Sequence, residues 1–253
     1  MLKLLQVSDI HLATPGEALF GSDPLARLDA CIADINRNHA DADLVVFSGD
    51  LANDGLPEAY AALRERLPTL ALPYRLMLGN HDDRANFLAA FPETSTEGGF
   101  VQASVDLKGT RLILLDTLET GLVEGRLGGG RLEWLDRKLG EAEGRPALVF
   151  THHPPVDIYM PALDRCRLMD SEALLGVLRK HGNVRHIFAG HVHRPVCGSW
   201  HGIPFSSLRG TNHQSAPVFA GKHRVNLEPP AYAIIFVSEG SIVVHYHDFL
   251  YSD

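Results

Sequence analysis

Short apolar runs alternate along the chain with segments in which apolar residues recur every three or four positions. Runs bounded by Asp, Asn, Gly or Pro predict five buried strands, at 3–8, 43–48, 74–78, 147–151 and 184–189. The longer period predicts four helices, at 24–38, 57–67, 132–139 and 171–181. Asp23 stands in the N-cap position of the first helix and Pro24 in its first turn, and both favour a helix start there.

Two further pairs of apolar runs predict β-hairpins. One pair is 100–107 with 111–117, and the other is 232–237 with 242–246; a glycine lies in each connection. A strand and helix alternation that ends in antiparallel strands predicts an α/β fold of mixed α+β character. We expect two mixed β-sheets packed as a sandwich and flanked by helices.

The whole chain, 1–253, is predicted to form one domain. Two irregular stretches, 154–169 and 209–230, are rich in Pro, Gly, His and Arg and are predicted to be loops over a site. Residues 209–253 would thus supply a cover loop and the terminal hairpin. That hairpin is apolar for a chain end, so we expect an edge strand there that could pair with another subunit and make a homo-oligomer.

Composition narrows the classes of function. The 253 residues include 23 basic and 31 acidic side chains, for a formal charge of −8, with no cluster of Lys and Arg. Long nucleic acids are therefore not expected as partners, because their binding needs basic surface. Three cysteines without C-x-x-C spacing favour a reducing cytoplasm over a disulfide framework. The apolar run 231–237 is too short to cross a bilayer, so we expect neither membrane insertion nor export.

Polar side chains that bind metals or transfer protons follow five of the predicted strands. The five motifs are Asp9-Ile10-His11, Gly49-Asp50, Gly79-Asn80-His81-Asp82, His152-His153-Pro154-Pro155 and Gly190-His191-Val192-His193. In an α/β sheet the carboxyl ends of the strands form the ligand-binding edge, so we expect the motifs to converge there. We also expect residues two apart, as in Asp9 with His11, to point the same way because the segments would be extended.

The number of ligands predicts two metal ions. Seven side chains qualify, namely Asp9, His11, Asp50, Asn80, His152, His191 and His193. Tetrahedral zinc needs only four, whereas two ions that share a carboxylate use about this many. Such a pair, about 3.5–4 Å apart, clamps the attacked and leaving oxygens of a displacement at phosphorus. Iron, manganese, zinc and cobalt all accept these ligand types.

In this order the five motifs resemble the signature of the calcineurin-like metallophosphoesterases. The nearest branches are the class III cyclic nucleotide phosphodiesterases and the related bacterial glycerophosphodiesterases. The resemblance extends from residue 9 to residue 193. It implies two mixed β-sheets sandwiched by helices, in agreement with the fold predicted above from the pattern alone.

The resemblance also implies a role for each residue. One metal would be bound by Asp9, His11 and His193, and a second by Asn80, His152 and His191, with Asp50 bridging. His81 would stabilise the developing charge on phosphorus or protonate the leaving alkoxide, a task that imidazole suits near neutral pH. His213 resembles a substrate-facing histidine of the glycerophosphodiesterase branch. His153 is expected to fill the turn beside His152 rather than bind metal.

We therefore predict a cytoplasmic metal-dependent phosphodiesterase in which a metal-bridging hydroxide attacks small phosphodiesters. The alternatives are a phosphomonoesterase or a nuclease on the same metals, or a non-catalytic metal-binding scaffold. A cyclic nucleotide such as 3',5'-cAMP needs an apolar slot for its base, for which the candidates are Tyr159, Met160, Phe205 and Phe219. A glycerophosphodiester needs small polar contacts, for which the candidates are Asn53, Asn212, His213 and Gln214.

Overall fold

The computed structural model describes residues 1–250, which form two large β-sheets with helices on their outer faces and one two-stranded ladder. The strands are β1 (Leu2–Val7), β2 (Leu44–Ser48), β3 (Tyr74–Met77), β4 (Ala103–Leu107), β5 (Thr110–Leu114), β6 (Ala147–Thr151), β7 (Val184–Ala189), β8 (Cys197–Trp200), β9 (Ile203–Ser207), β10 (Gln214–Ser215), β11 (Val225–Asn226), β12 (Ala231–Val237) and β13 (Ile242–Asp248). The helices are α1 (Pro24–Asn38), α2 (Pro57–Arg66), α3 (Arg84–Ala90), α4 (Arg131–Gly140), α5 (Pro161–Asp164) and α6 (Ser171–His181), and a 3-10 turn, Leu67–Thr69, extends α2.

Both sheets are mixed. The first has the order β13-β12-β1-β2-β3, in which β1, β2 and β3 are parallel and the terminal hairpin adds antiparallel to β1. The second has the order β4-β5-β6-β7-β9-β8, with β5, β6, β7 and β9 parallel. Parallel neighbours place their carboxyl ends at one edge of a sheet, so each sheet has one edge suited to a site.

Three clusters of buried apolar side chains fill the spaces between the layers. Side chains of β1 and β2, such as Leu4 and Val46, meet Leu148, Phe150 and Phe188 of the second sheet between the two sheets. The opposite face of the first sheet packs on α1, α2 and α3, and that of the second packs on α4 and α6. The order helix, sheet, sheet, helix confirms the predicted sandwich.

Helix α1 illustrates how the sequence determines an element. The Asp23 side chain accepts hydrogen bonds from the backbone N–H groups of Leu25 and Ala26, which have no partner inside the helix. Leu28, Ile32 and other apolar residues on one face are buried against the first sheet. Full burial of such a side chain contributes about 1.5–3 kcal/mol, so packing of this face dominates the stability of the helix.

The structure adds elements that the pattern did not predict. Helix α3 and the β8–β9 hairpin are new, and the stretches predicted as loops contain α5 and the short β10–β11 ladder. Each is short or poorly periodic, so the hydrophobic pattern carried little signal for it. No helix within residues 1–250 is long and apolar enough to cross a membrane.

Candidate metal centre

The predicted motifs meet where the carboxyl ends of the two sheets face each other. One hydrogen bond joins the sheets directly: Nδ1 of His152, just after β6, donates to the carbonyl of Ser48 at the end of β2, at 2.9 Å. The backbone N–H of His191, after β7, donates to Oδ1 of Asp9, after β1, at 3.1 Å. The site is therefore built across the sandwich rather than on one sheet.

The backbone at this edge is strained. Five predicted ligands adopt positive φ, namely Asp9 (55°), His11 (49°), Asp50 (51°), His191 (67°) and His193 (47°). Residues other than glycine rarely enter this region, and such strain concentrates at functional sites. The prediction that Asp9 and His11 lie in an extended segment is wrong. Tight left-handed turns directly after the strands, rather than extended pleating, bring these side chains together.

One group of ligand atoms comprises Asp9, His11, Asp50 and His193, all buried and within 4.8 Å of one another. Nδ1 of His193 donates to the carbonyl of His213 at 2.8 Å, so its Nε2 carries a lone pair. That Nε2 lies 3.3 Å from Oδ1 of Asp9 and 3.1 Å from Nε2 of His11. Ligand atoms of His193, His11 and Asp9 thus converge at one point of the site.

The second group repeats this arrangement around His152. Because Nδ1 of His152 donates to Ser48, Nε2 is the nitrogen that faces the other ligands, and it presents a lone pair once a metal displaces its proton. Nε2 lies 3.2 Å from Oδ2 of Asp50 and 3.3 Å from Oδ1 of Asn80. His191 adds a buried Nε2 without a hydrogen-bond partner, and its ring centroid lies 5.3 Å from that of His152.

These donor sets fit a cation. Converging lone pairs repel one another unless a proton or a metal lies between them. Burial alone lowers the pKa of His152, but the carboxylates of Asp50 and Asp9 outweigh burial and raise it to about 9. The site therefore attracts positive charge at Nε2 of His152. Oδ2 of Asp9 is also buried without a partner, as expected of a ligand position.

Two glycines make room for the ligands. A Cβ on Gly79 would overlap Oδ1 of Asp50 and lie 2.5 Å from Nε2 of His152. Gly49 combines φ of +104° with a Cβ position that would overlap the ring of His152. Neither position therefore accepts a side chain unless the ligands move.

His81 lies beside the ligands but is exposed. Its Nδ1 donates to the backbone carbonyl of Asn53 at 2.7 Å, and its ring stands edge-on to that of His11, with centroids 4.7 Å apart. This leaves Nε2 to exchange a proton with a substrate. The side chain of Asn53 points elsewhere and donates to Asp54 at 2.9 Å.

His153 belongs to the same histidine cluster, with His152 and His191, yet both of its ring nitrogens are engaged. Nε2 donates to the carbonyl of Val123 at 3.1 Å, and Nδ1 accepts from the Thr117 hydroxyl at 2.8 Å. Burial, and then the neighbouring histidines, lower its pKa well below the usual value, so the ring is neutral. These contacts support the prediction that His153 packs beside the ligands.

Asp82, the last residue of the Gly79-Asn80-His81-Asp82 motif, has a structural role that the sequence did not reveal. Its buried carboxylate accepts from the backbone N–H groups of Leu51, Ala52 and Gly79 and from the hydroxyl of Tyr60, at 2.8–3.1 Å. Burial and then Asp50 raise its pKa to about 6. Asp82 thus fixes the loop that carries Asp50 to the loop that carries Asn80.

The aromatic residues of the rim differ from those predicted. Met160 and Phe205, expected to line a base slot, instead pack in the core between the second sheet and its helices. Their position in this core explains why both residues are apolar. Tyr159 and Phe219 are exposed. The aromatic ring that reaches the site is Phe20, whose centroid lies 4.6 Å from that of His213. Its only sequence signal is a large apolar residue before Gly21 in a polar loop.

His213, which is predicted to face substrate, lies beside two proposed metal ligands. Its ring centroid lies 4.5 Å from that of His193 and 4.9 Å from that of His11. Burial, and then His193 and His81, lower its pKa to about 3, so the imidazole is neutral. Its Nδ1 has no hydrogen-bond partner among residues 1–250. A neutral ring with an unpaired nitrogen can contact either a ligand or water.

Comparisons with known proteins agree with this geometry. The profile of the calcineurin-like phosphoesterase family matches residues 2–195. The chain is 38% identical to a probable cyclic nucleotide phosphodiesterase of Rhodopseudomonas palustris, over 99% of this chain and 93% of that protein. It is 30% identical to a probable glycerophosphodiester phosphodiesterase of Arcobacter nitrofigilis, over 96% and 88%. A solved dimetal phosphatase from Danio rerio has the same fold, with a TM-score of 0.71 at 17% identity over 98% of this chain and 96% of that one.

Proposed function

The chain belongs to the calcineurin-like phosphoesterase family and is a metal-dependent phosphoric diester hydrolase, and on that premise we propose that it uses two ions to hydrolyse small phosphodiesters. The observation that carries the proposal is the position of Asp50. Its Oδ2 lies 3.5 Å from Nε2 of His11 in one ligand group and 3.2 Å from Nε2 of His152 in the other. One carboxylate thus faces both groups, as a bridging ligand must.

The proposed ligands of one ion are Asp9, His11 and His193, and those of the other are Asn80, His152 and His191, with Asp50 shared. Hydrogen bonds from His193 to His213 and from His152 to Ser48 support this assignment, because they fix the tautomer that presents Nε2. Mixed imidazole, carboxylate and amide donors suit iron, manganese, zinc or cobalt.

When bound, the ions supply Lewis acidity toward the phosphoryl oxygens and lower the pKa of a water nucleophile. The protein residues position the ester and handle the proton. We propose that His81, oriented by the Asn53 carbonyl, donates a proton from Nε2 to the leaving alkoxide or stabilises the charge on phosphorus. His213 and Asn53 are the proposed substrate contacts, and the Asn53 amide, which donates to Asp54 in this structure, would turn toward the ester to make its contact.

Two features favour a small diester over the other substrates of such a metal pair. The formal charge of −8 disfavours a long nucleic acid. The two relatives described above are named for cyclic nucleotide and glycerophosphodiester substrates, not for monoesters. A non-catalytic scaffold is disfavoured by His81, which belongs to neither proposed ligand set. Its Nδ1 is held by the Asn53 carbonyl, and this leaves Nε2 available to substrate beside the proposed ligands.

The proposal is tested by hydrolysis of bis(p-nitrophenyl) phosphate beside p-nitrophenyl phosphate on chelator-stripped enzyme, with manganese, cobalt, zinc or iron(II) restored. We expect metal-dependent preference for the diester, lost in Asn80→Ala, and two ions per chain by elemental analysis. Preference for the monoester would indicate a phosphatase. Two bound ions without turnover of either ester would indicate a scaffold.

The structure also bears on assembly. Strand β13 is an edge of the first sheet, and two of its apolar residues, Val243 and Tyr246, are 45% and 37% exposed. An exposed apolar edge strand favours pairing with a second copy. We propose a homo-oligomer through this strand. Light scattering that gives only a 27.7 kDa monomer at high concentration would contradict it. Cytoplasmic location stays a prediction from the cysteine content.

A further inference from the structure

Phe20 is an exposed aromatic ring at the opening of the metal centre. Half of the side chain, 50%, is accessible to solvent, and its ring centroid lies 4.6 Å from that of His213 at an interplanar angle of 52°. His213 in turn lies 4.5 Å from His193, a proposed ligand. The exposed ring of Phe20 is thus one aromatic ring away from the metal ligands.

The backbone holds Phe20 in this position against its preference. Leu19 and Ser22 exchange both backbone hydrogen bonds, at 2.8 and 3.1 Å, and close a two-residue turn. Both central residues have positive φ, 51° for Phe20 and 82° for Gly21. Asn, Asp or Gly is usual at the first of these positions, and a bulky residue there is strained. Such strain is retained where the surroundings enforce it, typically at functional sites.

The turn is fastened to the wall of the site. The Ser22 hydroxyl donates to Oδ1 of Asn212, the residue that precedes His213. The backbone N–H of Thr211 donates to the carbonyl of Ser8 at 3.3 Å, which joins the same loop to the end of β1. Phe20 and His213 therefore keep a fixed relation to each other and to the ligands.

We propose that Phe20, backed by His213, is a stacking platform for the base of a cyclic nucleotide, and that it determines specificity between the two diester classes. This inference rests on the proposed function, since it assigns a substrate to the same site. A planar base gains from stacking on an exposed aromatic ring, and in a cyclic nucleotide the base stands one ribose away from phosphorus. The small polar alcohols of a glycerophosphodiester gain little from such a ring.

The direct test compares kcat/KM for 3',5'-cAMP and glycerophosphoethanolamine in the wild type and in Phe20→Gly. Glycine suits the positive φ of this position, so the variant removes the ring without disturbing the turn. We expect kcat/KM for cAMP to fall about tenfold, mainly through KM, with the glycerophosphodiester changed less than about twofold. Phe20→Trp should retain the preference for cAMP, and Phe20→Leu should lose most of it.

His201→Gly is the matched control. His201 is also an exposed ring residue with positive φ, 51°, and it precedes a glycine, Gly202, in the two-residue turn between β8 and β9, so its removal should leave both rates unchanged. Equal losses on both substrates in Phe20→Gly, or loss of cAMP turnover in His201→Gly instead, would overturn the platform.

A binding measurement separates this inference from the proposed function. Calorimetric Kd values for AMP and inorganic phosphate should differ in the wild type, and only that for AMP should weaken in Phe20→Gly. If AMP binds no tighter than phosphate, the platform is wrong even if diesters are hydrolysed. If AMP binding depends on Phe20 but no diester is hydrolysed with any metal, the platform stands and the proposed reaction is wrong.

Discussion

On the floor of the site, formed by the seven proposed ligands, the side chains are buried apart from half-buried Asn80, whereas on the rim Phe20 and His81 reach solvent. Floor histidines such as His152 and His193 are fixed by hydrogen bonds to backbone carbonyls. The rim residue Phe20 is held instead by a loop whose Ser22 donates to Asn212 of a second loop. The floor is therefore preorganised for ions, and the rim is where substrates can be distinguished.

The largest effect is expected from the floor residue that faces both ligand groups. Asp50→Ala should reduce diester kcat by on the order of a thousandfold or more, because the ions supply several kcal/mol of transition-state stabilisation. Bound metal should fall below two ions per chain by elemental analysis. Asp29→Asn removes a carboxylate from a surface ion pair with Arg66 and should change neither value. Retention of two ions and full turnover in Asp50→Ala would contradict the bridging role.

On the rim, His81→Ala should reduce turnover about a hundredfold or more while metal content stays at the wild-type level. The loss should be larger for alkyl esters than for nitrophenyl esters, because p-nitrophenolate leaves without a proton. Equal losses for both leaving groups would favour charge stabilisation at phosphorus over proton donation.

Asn53→Ala is the matched variant for His81. It keeps the backbone carbonyl that orients Nδ1 of His81 and removes only the side-chain amide, which contacts Asp54. The His81-dependent difference between leaving groups should survive in this variant. A rise in KM with that difference intact would support the predicted contact between Asn53 and substrate.

Packing of the floor is tested at Gly79. The added methyl group of Gly79→Ala would overlap Asp50 Oδ1, so we expect metal affinity to fall about 10–100-fold with a measurable loss of stability. Gly128→Ala is the control, since a Cβ at Gly128 meets nothing within 4 Å. Calorimetric metal titration and thermal unfolding of both variants would decide. Equal metal affinity and equal thermal stability in the two variants would mean that the ligands move away from the added methyl group at no cost in free energy.

The floor could be predicted from the sequence because its chemistry restricts the residue types. Asp, Asn and His after strand-forming runs stand out, and a parallel strand brings its end to a known edge of the sheet. The sequence does not reveal that left-handed turns orient Asp9 and His191, because non-glycine residues seldom adopt them. The structural role of Asp82 was not assigned because a buried acceptor of backbone hydrogen bonds looks like a solvated loop carboxylate in sequence.

The rim was harder to predict because its residues lie in irregular segments rather than at the ends of predicted strands. Phe20 and His213 lie in different irregular segments, and neither segment has a period that reveals its course. Met160 and Phe205 illustrate the converse error, since apolar residues in or near segments predicted to cover a site also serve the core. Length and hydropathy do not distinguish the two uses.

The smallest effect concerns His186, a buried histidine on β7 that donates no ligand to the floor although His191 follows the same strand. Its Nε2 pairs with the Ser206 hydroxyl at 2.9 Å, its ring stacks on Phe188, and burial lowers its pKa to about 4. The unfolded chain, with a histidine pKa near 6.5, therefore binds more protons than the folded chain between about pH 4 and 6.5. Stability from this residue is complete above that window and is lost as the pH falls through it, by at most about 3 kcal/mol. Denaturant unfolding of wild type and His186→Gln at pH 7 and pH 4.5 measures the difference. We expect the variant to lose less stability on acidification. An identical loss of stability in the two proteins would show that His186 has the same pKa in the folded and the unfolded chain.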